Sequence, residues 1–360
     1  MTSRDGYLVR WLLAAAIGVS ASVQPLRAQT ERKITKLAEG VYAIQHRDGH
    51  DGTASGNTTV IIGDRQVFVV DACFLPSAAK EDIAQIRQWT DKPVTFVLNT
   101  HFHNDHNFGN RAYMDAFPAV TIIAHVQTKK DMDEFGPGSL GREEQTTAEY
   151  QQMQASGKTS DGTPLTAEDK TQLAAILARR HDIETEMRPV TFQSATLTFD
   201  HDFTIDIGGR DVQVKFLGRG NTNGDAVAYL PKEKIAVTGD LVVYPLPYFY
   251  DGYPTEWVQT MQNLGELDAT TIVPGHGPIL HDKSYIYLVR DFMKSAVDQT
   301  NAQLTKIGPA MAHTVDQVRG GVDLSAFRQR FAGNDPRLAA SFDRESRNLV
   351  DLVFREASLR

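Results

Sequence analysis

Short apolar runs of five or six residues alternate with an amphipathic stretch in the first third of the chain. Runs of this length, bounded by Gly, Asp or Asn, are typical of strands, whereas an apolar period of three to four residues is typical of a helix. A polar segment rich in Gly and Asp, residues 46–57, is predicted to be a loop between the first two strands. The pattern predicts strands over residues 41–45, 58–63, 66–71, 94–99 and 120–124, and a helix over 78–89.

The pattern changes at residue 127, after which charged residues and helical spacing continue to residue 187. This segment is predicted to be an insertion, because strand-like runs resume after it and the chain from residue 285 onward is mostly helical. Two strand-rich halves, each followed by helices, indicate two sheets packed face to face with helices outside, although the pattern alone also fits other α/β arrangements. The later strands are predicted over 195–199, 203–207, 212–217, 226–230, 235–238 and 271–273, with a helix over 256–267.

The first 28 residues have the layout of a secretory signal peptide. Arg4 and Arg10 precede an apolar stretch, and cleavage is expected after Ala28, with Ala21 as the alternative position. The apolar stretch is shorter than the roughly 20 residues that a membrane helix needs, so we expect a periplasmic or secreted chain without a stable membrane span. A retained N-terminal anchor is the alternative. The predicted domains are a signal peptide (1–28), a main domain (29–285, with its insertion at 127–187) and a helical extension packed on that domain (286–360).

The charge and cysteine content exclude some classes of protein. The net charge is −8 over 360 residues, and without a run of Lys or Arg we expect no nucleic-acid partner. A small-molecule substrate is the expected partner, and the oligomeric state stays open. Cys73 is the single cysteine, so the chain has no internal disulfide. We interpret Cys73 as a small buried residue, with a role as a ligand or nucleophile as the alternative.

The segment His101-Phe102-His103-Asn104-Asp105-His106 places four metal-ligand side chains within six residues. Imidazole nitrogens and a carboxylate oxygen are the donors that zinc and iron sites use. The segment follows an apolar run, residues 95–100, that is predicted to be a buried strand. Ligands at the carboxyl end of a strand open into a cleft, so the sequence predicts a metal site here rather than a polar surface loop.

Three later residues have similar positions at or near the ends of strand-like runs. Asp240 follows Gly239 at the end of the run 235–240, where the glycine lets the backbone turn. His276 lies in a loop stiffened by Gly and Pro after the run 271–273, and Asn221 lies in a Gly-rich loop after the run 212–217. Each residue is a weak signal alone, because Asp is common in turns. Together with the histidine-rich segment they form an ordered set of candidate ligands.

With these motifs in this order, the sequence resembles the metallo-β-lactamase fold superfamily over roughly residues 35 to 285. The resemblance implies an α/β fold, a four-layer αββα sandwich, here with a helical insertion and a helical C-terminal region. It also implies a binuclear site in the cleft between the sheets. By ligand type the sequence is nearest to members that look like glyoxalase II, because position 240 is Asp rather than Cys. On this pattern, His101 and His103 hold the first metal, Asp105, His106 and His276 hold the second, and Asp240 bridges the two or contributes to the second.

One position departs from the family pattern. Where most members have the third histidine of the first site, this chain has Asn221, whose amide oxygen is a weaker, neutral ligand. Three interpretations follow: a binuclear enzyme with a weak first site, a mononuclear enzyme that uses the second site, or a metal-binding protein without turnover. His46 or His50 from the polar loop is a further candidate for the first site, although both are expected to face solvent.

Two divalent ions roughly 3.5 to 4 Å apart can generate hydroxide near neutral pH and polarise a carbonyl, which is the chemistry of ester-like hydrolysis. The resemblance therefore implies a hydrolase with one or two zinc ions that cleaves a lactam, lactone or thioester, with Asp105 orienting the attacking water. An iron-dependent oxygenase of the persulfide type is the alternative within the fold. Thr222 and Asn223 are candidates for holding the imidazoles. The aromatic run 243–250 is expected either to line an apolar pocket or to pack at the edge of the sandwich.

Overall fold

The computed structural model describes residues 31–46, 55–158, 162, 164–307 and 315–359. The predicted signal peptide and His50 lie outside these residues. The strands are β1 (Lys33–Ala38), β2 (Val41–Gln45), β3 (Thr58–Ile62), β4 (Val67–Val70), β5 (Val94–Leu98), β6 (Thr121–His125), β7 (Leu197–Phe199), β8 (Phe203–Asp206), β9 (Asp211–Phe216), β10 (Ala226–Leu230), β11 (Ile235–Val243) and β12 (Thr271–His276). The α-helices are α1 (Pro76–Trp89), α2 (Asn104–Asn107), α3 (Asn110–Ala116), α4 (Val126–Phe135), α5 (Ser139–Ser156), α6 (Ala167–Met187), α7 (Pro254–Glu266), α8 (Ser284–Ile307), α9 (Val315–Arg319), α10 (Ser325–Ala332) and α11 (Pro336–Ser358).

The strands form two sheets. The seven-stranded sheet has the order β1-β2-β3-β4-β5-β6-β7, and the five-stranded sheet has the order β12-β11-β10-β9-β8. The first four strands pair antiparallel, β4 to β7 pair parallel, and β11 and β12 form the parallel pair of the other sheet. The histidine-rich segment follows β5, Asp240 lies within β11, and His276 ends β12. The topology of the two sheets therefore determines which candidate ligands meet.

Three apolar layers hold the fold together. Phe68 and Val237 lie in the central layer between the sheets, Ile83 of α1 lies outside the seven-stranded sheet, and Trp257 and Phe292 lie outside the five-stranded sheet. Every residue of β4 and β11 is buried, as expected for strands covered on both faces. The predicted four-layer αββα sandwich is therefore confirmed. None of the helices in the described part of the chain combines the length and apolar character needed to cross a bilayer.

Several element bounds differ from the prediction. Strand β1 was not predicted, because its six residues are mostly exposed or half-buried and carry no continuous apolar run. Strand β11 does not end near Asp240 but continues to Val243, and His276 is the last residue of β12 rather than part of the loop after it. The pairing of these two strands has irregularities around Gly239. Such bulges re-aim a side chain without ending the strand.

The predicted insertion folds into the helices α4, α5 and α6, which contact both loops that lead to the candidate site. The Thr128 hydroxyl of α4 donates to the Gly224 carbonyl at 2.7 Å, and the Ser139 hydroxyl of α5 donates to Asn104 Oδ1 at 3.0 Å. Met187, at the end of α6, is fully buried in an apolar cluster beside the start of α1. The insertion is therefore fixed against the site loops. The predicted boundaries of the domains stay a prediction.

The C-terminal helix α11 contacts the aromatic run that follows β11. The carboxylate of Glu345 is fully buried and accepts hydrogen bonds from the Phe249 backbone N–H at 3.1 Å and from Asn348 Nδ2 at 3.2 Å. The Arg344 Nε donates to the other carboxylate oxygen of Glu345 at 3.1 Å. The buried Glu345 carboxylate fixes the run, because the Phe249 N–H would otherwise lie unpaired away from water.

We expect Glu345→Ala to lower the free energy of unfolding by about 1–3 kcal/mol, because the Phe249 N–H would lose its acceptor in a buried place. Asp343→Ala on the same helix is the matched control. Its ion pair with Arg328 is exposed, so its loss should cost less than about 1 kcal/mol. Urea unfolding of both variants measures the difference. Equal losses for the two variants would show that Glu345 does not anchor the run.

Candidate metal centre

Six of the seven predicted ligands converge at one place in the cleft. The two residues at the start of the histidine-rich segment follow β5, the next two lie in the short helix α2, and the last two lie in β11 and at the end of β12. Their side chains are buried or half-buried, so they meet out of bulk water. These residues are His101, His103, Asp105, His106, Asp240 and His276.

Three of these residues form one compact group of donors, Asp105, His106 and His276. His276 Nε2 lies 3.0 Å from Asp105 Oδ2 and 3.1 Å from His106 Nε2. His106 Nε2 lies 3.5 Å from Asp105 Oδ2. Two imidazole nitrogens and one carboxylate oxygen therefore point at a common centre. This is the set predicted for the second metal.

A second group shares His106 and consists of His101, His106 and Asp240. His106 Nε2 lies 3.2 Å from Asp240 Oδ1, and His101 Nε2 lies 3.7 Å from Asp240 Oδ2. His103 extends this group, since its Nδ1 lies 3.0 Å from His101 Nε2. Asp240 presents one oxygen to each histidine and so lies between the two groups, in the place predicted for a bridging ligand.

The imidazoles are oriented by Asp71, a buried residue at the end of β4. Asp71 Oδ2 accepts from His106 Nδ1 at 2.8 Å and from the Thr100 hydroxyl at 2.8 Å, and Asp71 Oδ1 accepts from the Thr100 backbone N–H at 2.8 Å. The Thr100 Oγ1 then lies 3.0 Å from His101 Nδ1, from which it accepts. A carboxylate can only accept, so the protons of both rings lie on Nδ1 and both Nε2 atoms are left for the centre.

Two glycines admit the ligands to this space. A side chain at Gly275 would place its Cβ 1.9 Å from Asp240 Oδ1, and a side chain at Gly239 would place its Cβ 2.3 Å from Thr100 Oγ1. Gly239 also has a φ of 51°, in the left-handed region that glycine adopts readily. These two positions therefore accept no larger residue without movement of Asp240 or Thr100.

The charges in the cluster favour a cation. Burial opposes charge on His276, yet the carboxylates of Asp240 and Asp105 raise its pKa to about 10, and they raise the pKa of His106 well above its usual value. Burial and the charge on His106 lower the pKa of His101. The positive charges of His276 and His106 hold the pKa of Asp240 well below its usual range. Both carboxylates therefore stay ionised, and positive charge must lie among them.

The donor set fits a divalent metal ion. Asp240 Oδ1 is buried and receives no well-aligned hydrogen bond from any residue that the structure describes, although His106 Nε2 lies close. Nε2 atoms of two histidines face each other without an intervening donor or acceptor. Imidazole and carboxylate donors at a shared centre are typical of zinc, and the group of Asp105, His106 and His276 also has the composition of a non-haem iron site.

Asn221, the seventh predicted ligand, is buried in the loop after β9, and none of the cluster contacts given above involves it. Its Nδ2 has no hydrogen-bond partner within the described residues. The loop lies near the cluster, since burial and then, more weakly, the charge of Asp240 raise the pKa of Asp225 to about 7. The role of Asn221 as a ligand stays a prediction.

Other predicted contacts differ in the structure. His46 does not face solvent or reach the cluster; its ring is buried, with Nε2 3.0 Å from Thr58 Oγ1. Thr222 does not hold an imidazole, because its backbone N–H and hydroxyl both donate to Asp225. Asn223 instead lies close to Asp131, whose pKa burial raises to about 6 and Asn223 holds down. The partners of these polar side chains depend on the conformation of their loops, which the spacing of residues in the sequence does not predict.

The aromatic run 243–250 is divided between packing and exposure. Leu246 and Phe249 are buried in the core outside the five-stranded sheet, and Tyr244 and Tyr250 are partly exposed. An open cavity of about 450 Å³ lies beside the Asn221 loop instead, and no residue of the run lines it. The packing interpretation therefore holds for the buried half of the run. The cavity is lined by His125, Gln127, Phe216, Gly218, Arg219, Asn223, Tyr253 and Glu256.

Asp71 and Thr100 were not predicted from the sequence to be functional residues. Asp71 ends an apolar strand and has a φ of 60°, which Asp tolerates better than most residues. A carboxylate at the end of a buried parallel strand was the available signal, since β4 and β5 are neighbours and Thr100 follows β5. Asn at the same place would have allowed the same turn, so the signal is weak.

Comparison with known proteins identifies the family. A sequence model of the metallo-beta-lactamase superfamily matches residues 51–276, more than half of the chain. The chain belongs to this superfamily, and the predicted resemblance is confirmed.

Named relatives and solved structures agree with this. Metallo-beta-lactamase type 2 of Elizabethkingia meningoseptica is 22% identical over 275 residues, which cover 74% of this chain and 88% of that protein. A linear primary-alkylsulfatase of Pseudomonas sp. (strain ATCC 19151) is 25% identical over 264 residues, which cover 67% of this chain and 46% of that longer protein. The metallo-beta-lactamase from Pontibacter korlensis has a TM-score of 0.53 at 19% identity, covering 73% of this chain and 99% of its own. The DIM-1 metallo-beta-lactamase has a TM-score of 0.52 at 18% identity, covering 74% of this chain and 98% of its own. At these identities the solved structures show the fold.

Asp71→Asn is expected to weaken metal binding by about 10- to 100-fold, because the carboxylate accepts on both oxygens and the amide accepts on only one, so its NH2 group would face the N–H of Thr100 or His106 and displace the rings. Competition with a chromogenic chelator measures the affinity. Asp206→Asn, a change of the same type at an exposed ion pair with Arg65, is the control and should leave the affinity unchanged. Wild-type affinity in Asp71→Asn would contradict the orienting role.

Gly275→Ala is expected to displace Asp240 and to lower the free energy of unfolding by about 1–3 kcal/mol, since an added methyl group overfills the site. Gly141→Ala is the matched control, because no atom lies within 4 Å of its added Cβ and helix α5 should gain up to about 1 kcal/mol. Denaturant unfolding with and without added zinc measures both. The interpretation fails if Gly275→Ala unfolds like the wild type and binds zinc equally well.

Proposed function

We propose that this protein is a metal-dependent hydrolase that cleaves an ester-like bond in a small molecule. The observation that carries the proposal is the convergence of three imidazole Nε2 atoms, His103 Nδ1 and two carboxylates at one buried centre, in a chain that belongs to the metallo-beta-lactamase superfamily. His101 and His103, with Asn221, would hold a first metal ion, and Asp240, which lies between the two groups, would bridge the two sites or contribute to the second. Asp105, His106 and His276 would hold a second.

Bound divalent ions supply two kinds of chemistry in such a site, lowering the pKa of water and stabilising negative charge on a substrate oxygen. The residues of this chain do the rest. His101 and His106 are fully buried, whereas the Asp105 side chain is 23% exposed, so substrate and water approach from the side of Asp105.

Asp105 would orient the attacking water. Burial opposes its ionisation, but the charge on His106 and the hydrogen bond from His276 Nε2 hold the pKa of Asp105 well below its usual range. An ionised carboxylate accepts a proton in a hydrogen bond and so turns a water oxygen toward the substrate. Asp71 and Thr100 act as positioning residues, because they fix the rings of His106 and His101.

A second candidate function comes from one feature of the site. Asp105, His106 and His276 form a group of two histidines and one carboxylate, which is also the ligand set of non-haem iron oxygenases. A single iron ion would leave the first group empty, in keeping with Asn221 as a weak ligand. An oxygenase of the persulfide type is therefore the alternative enzyme, and a binding protein without turnover is the alternative from another class.

The substrate class is proposed to be a lactam, a lactone or a thioester. Two relatives have names that give their substrates, a beta-lactamase and an alkylsulfatase, so sulfate esters join the set to be tested. The open cavity beside the Asn221 loop has Arg219 and Glu256 among its lining residues, paired with each other. A periplasmic or secreted location, with zinc as the metal, belongs to the same proposal.

The test measures metal content and hydrolysis on the full chain. Nitrocefin, a lactone, a thioester and a primary alkyl sulfate are the substrates, before and after chelation and with zinc restored. We expect His106→Ala to lower kcat/KM on the substrate that turns over by on the order of 100-fold or more, because metal chemistry is worth several kcal/mol. His201→Ala should keep the activity, since His201 lies exposed far along the chain from the cluster.

The metal content separates the candidates. One or two zinc ions with hydrolysis that chelation abolishes support the hydrolase, and a single iron ion with oxygen consumption supports the oxygenase. A chain that retains metal but neither hydrolyses any of the four substrates nor consumes oxygen supports the metal-binding protein without turnover, and a chain that retains no metal supports a degenerate site. Undiminished hydrolysis in His106→Ala would contradict the proposed site.

A further inference from the structure

A second buried group of metal-ligand side chains lies outside the proposed active centre. His46 follows β2, Cys73 follows β4, and Asp82 lies within α1. The Cys73 Sγ atom, one ring nitrogen of His46 and one carboxylate oxygen of Asp82 all lie within 4.8 Å of one another. All three residues are buried, Cys73 and Asp82 completely. The group is placed between the seven-stranded sheet and α1, and none of its members belongs to the two groups described above.

Polar atoms in this group lack the partners that buried groups normally have. His46 Nε2 faces two oxygens, Thr58 Oγ1 at 3.0 Å and Asp82 Oδ2 at 3.1 Å, and a single ring proton cannot serve both well. Asp82 Oδ2 receives no well-aligned hydrogen bond from the residues that the structure describes. Buried polar groups are nearly always hydrogen-bonded, and buried charges are paired or coordinate a metal.

The phenol of Tyr113 is another buried polar group near His46, Cys73 and Asp82. Its hydroxyl is buried and, within the described residues, has no hydrogen-bond partner. Burial raises the pKa of Tyr113, and the negative charge of Asp82 raises it further, which is consistent with a phenol close to the group. The thiol, the imidazole and the carboxylate of the group are donors of the kinds that zinc binds.

Arg32 holds the carboxylate in one orientation. Its Nη2 donates to Asp82 Oδ1 at 2.6 Å and its Nε donates to the same oxygen at 3.3 Å. Arg32 thereby satisfies Oδ1 and leaves Oδ2 facing His46. Ligating carboxylates in metal sites are commonly held in this way by a hydrogen bond to the oxygen that does not bind the metal.

We propose that His46, Cys73 and Asp82 bind a structural divalent metal ion, separate from the active centre, and that zinc is the ion their mixed sulfur, nitrogen and oxygen donors favour. The ion binds the thiolate, so the thiol proton is released to solvent as the metal enters. It joins the ends of β2 and β4 to α1. Cys73 lies two residues after Asp71, so the same ion stabilises the turn that carries the carboxylate which orients His106.

The burial of the thiol is consistent with this. Burial and the charge of Asp82 raise the pKa of Cys73 well above its usual value, so the side chain is a neutral thiol when no cation is bound. A bound metal reverses this, because a coordinating thiol loses its proton outright. The alternative is a buried ion pair of Arg32 and Asp82 beside an inert thiol, with no metal.

Cobalt substitution separates these alternatives without an activity assay. The full chain is expressed in medium with cobalt in place of zinc. Its near-ultraviolet spectrum is recorded after free and weakly bound cobalt has been removed. A thiolate bound to cobalt gives a charge-transfer band that nitrogen and oxygen ligands do not give. Cys73 is the only cysteine in the chain, so the band has one possible source, and the proposed active centre contributes none.

We expect the band in the wild type and in His106→Ala, and we expect Cys73→Ser and Asp82→Asn to lose it together with one equivalent of cobalt per chain. Asp115→Asn is the matched control, because Asp115 is exposed, and it should keep the band. A wild-type chain that binds cobalt without the band, or that binds no cobalt, overturns the proposal even if the variants fail to fold. Hydrolysis is not measured here, so failure of the proposed function leaves the result unaffected.

Discussion

The carboxylate of Asp71 is the constraint on which the metal centre depends. It fixes His106 directly and His101 through Thr100, so two rings from one short segment keep their Nε2 atoms aimed at the same point. Both rings are fully buried, so these hydrogen bonds determine which ring nitrogen of each histidine carries the proton. Since Asp71 ends β4 and Thr100 follows β5, the hydrogen bonding of these parallel neighbours sets the geometry of the ligands. The fold and the chemistry are therefore joined at one buried side chain.

The second sheet supplies the opposing half of the centre. Gly239 bends β11 so that Asp240 lies between the two histidine groups. Gly275 has no side chain and so leaves the space that the carboxylate of Asp240 occupies. Asn57 holds the strand that ends in His276, because its side-chain amide donates to the Pro274 carbonyl at 2.9 Å. Ligands contributed by both sheets require the sheets to keep their distance and angle, which the apolar layer between them secures.

Much of the fold and part of the site were accessible from the sequence, for physical reasons that differ. His101, His103, Asp105 and His106 are local, so their spacing alone predicted a metal segment. Asp240 and His276 were identified from strand ends, yet both lie within strands, because a bulge turns a side chain into the cleft without ending the pairing. Asp71 was missed, since a partner hydrogen-bonded across 35 residues leaves no local pattern. The burial of His46 was missed for the same reason, because its partner Asp82 comes from a helix much later in the chain.

The most direct test of the central claim is the position of bound metal in crystals of the full chain loaded with zinc. Anomalous scattering on either side of the zinc absorption edge identifies the element and its place. We expect a zinc peak among Asp105, His106, Asp240 and His276, with His106 Nδ1 still hydrogen-bonded to Asp71. A cleft without an anomalous peak in zinc-saturated crystals, or with His106 turned away from Asp71, would contradict it.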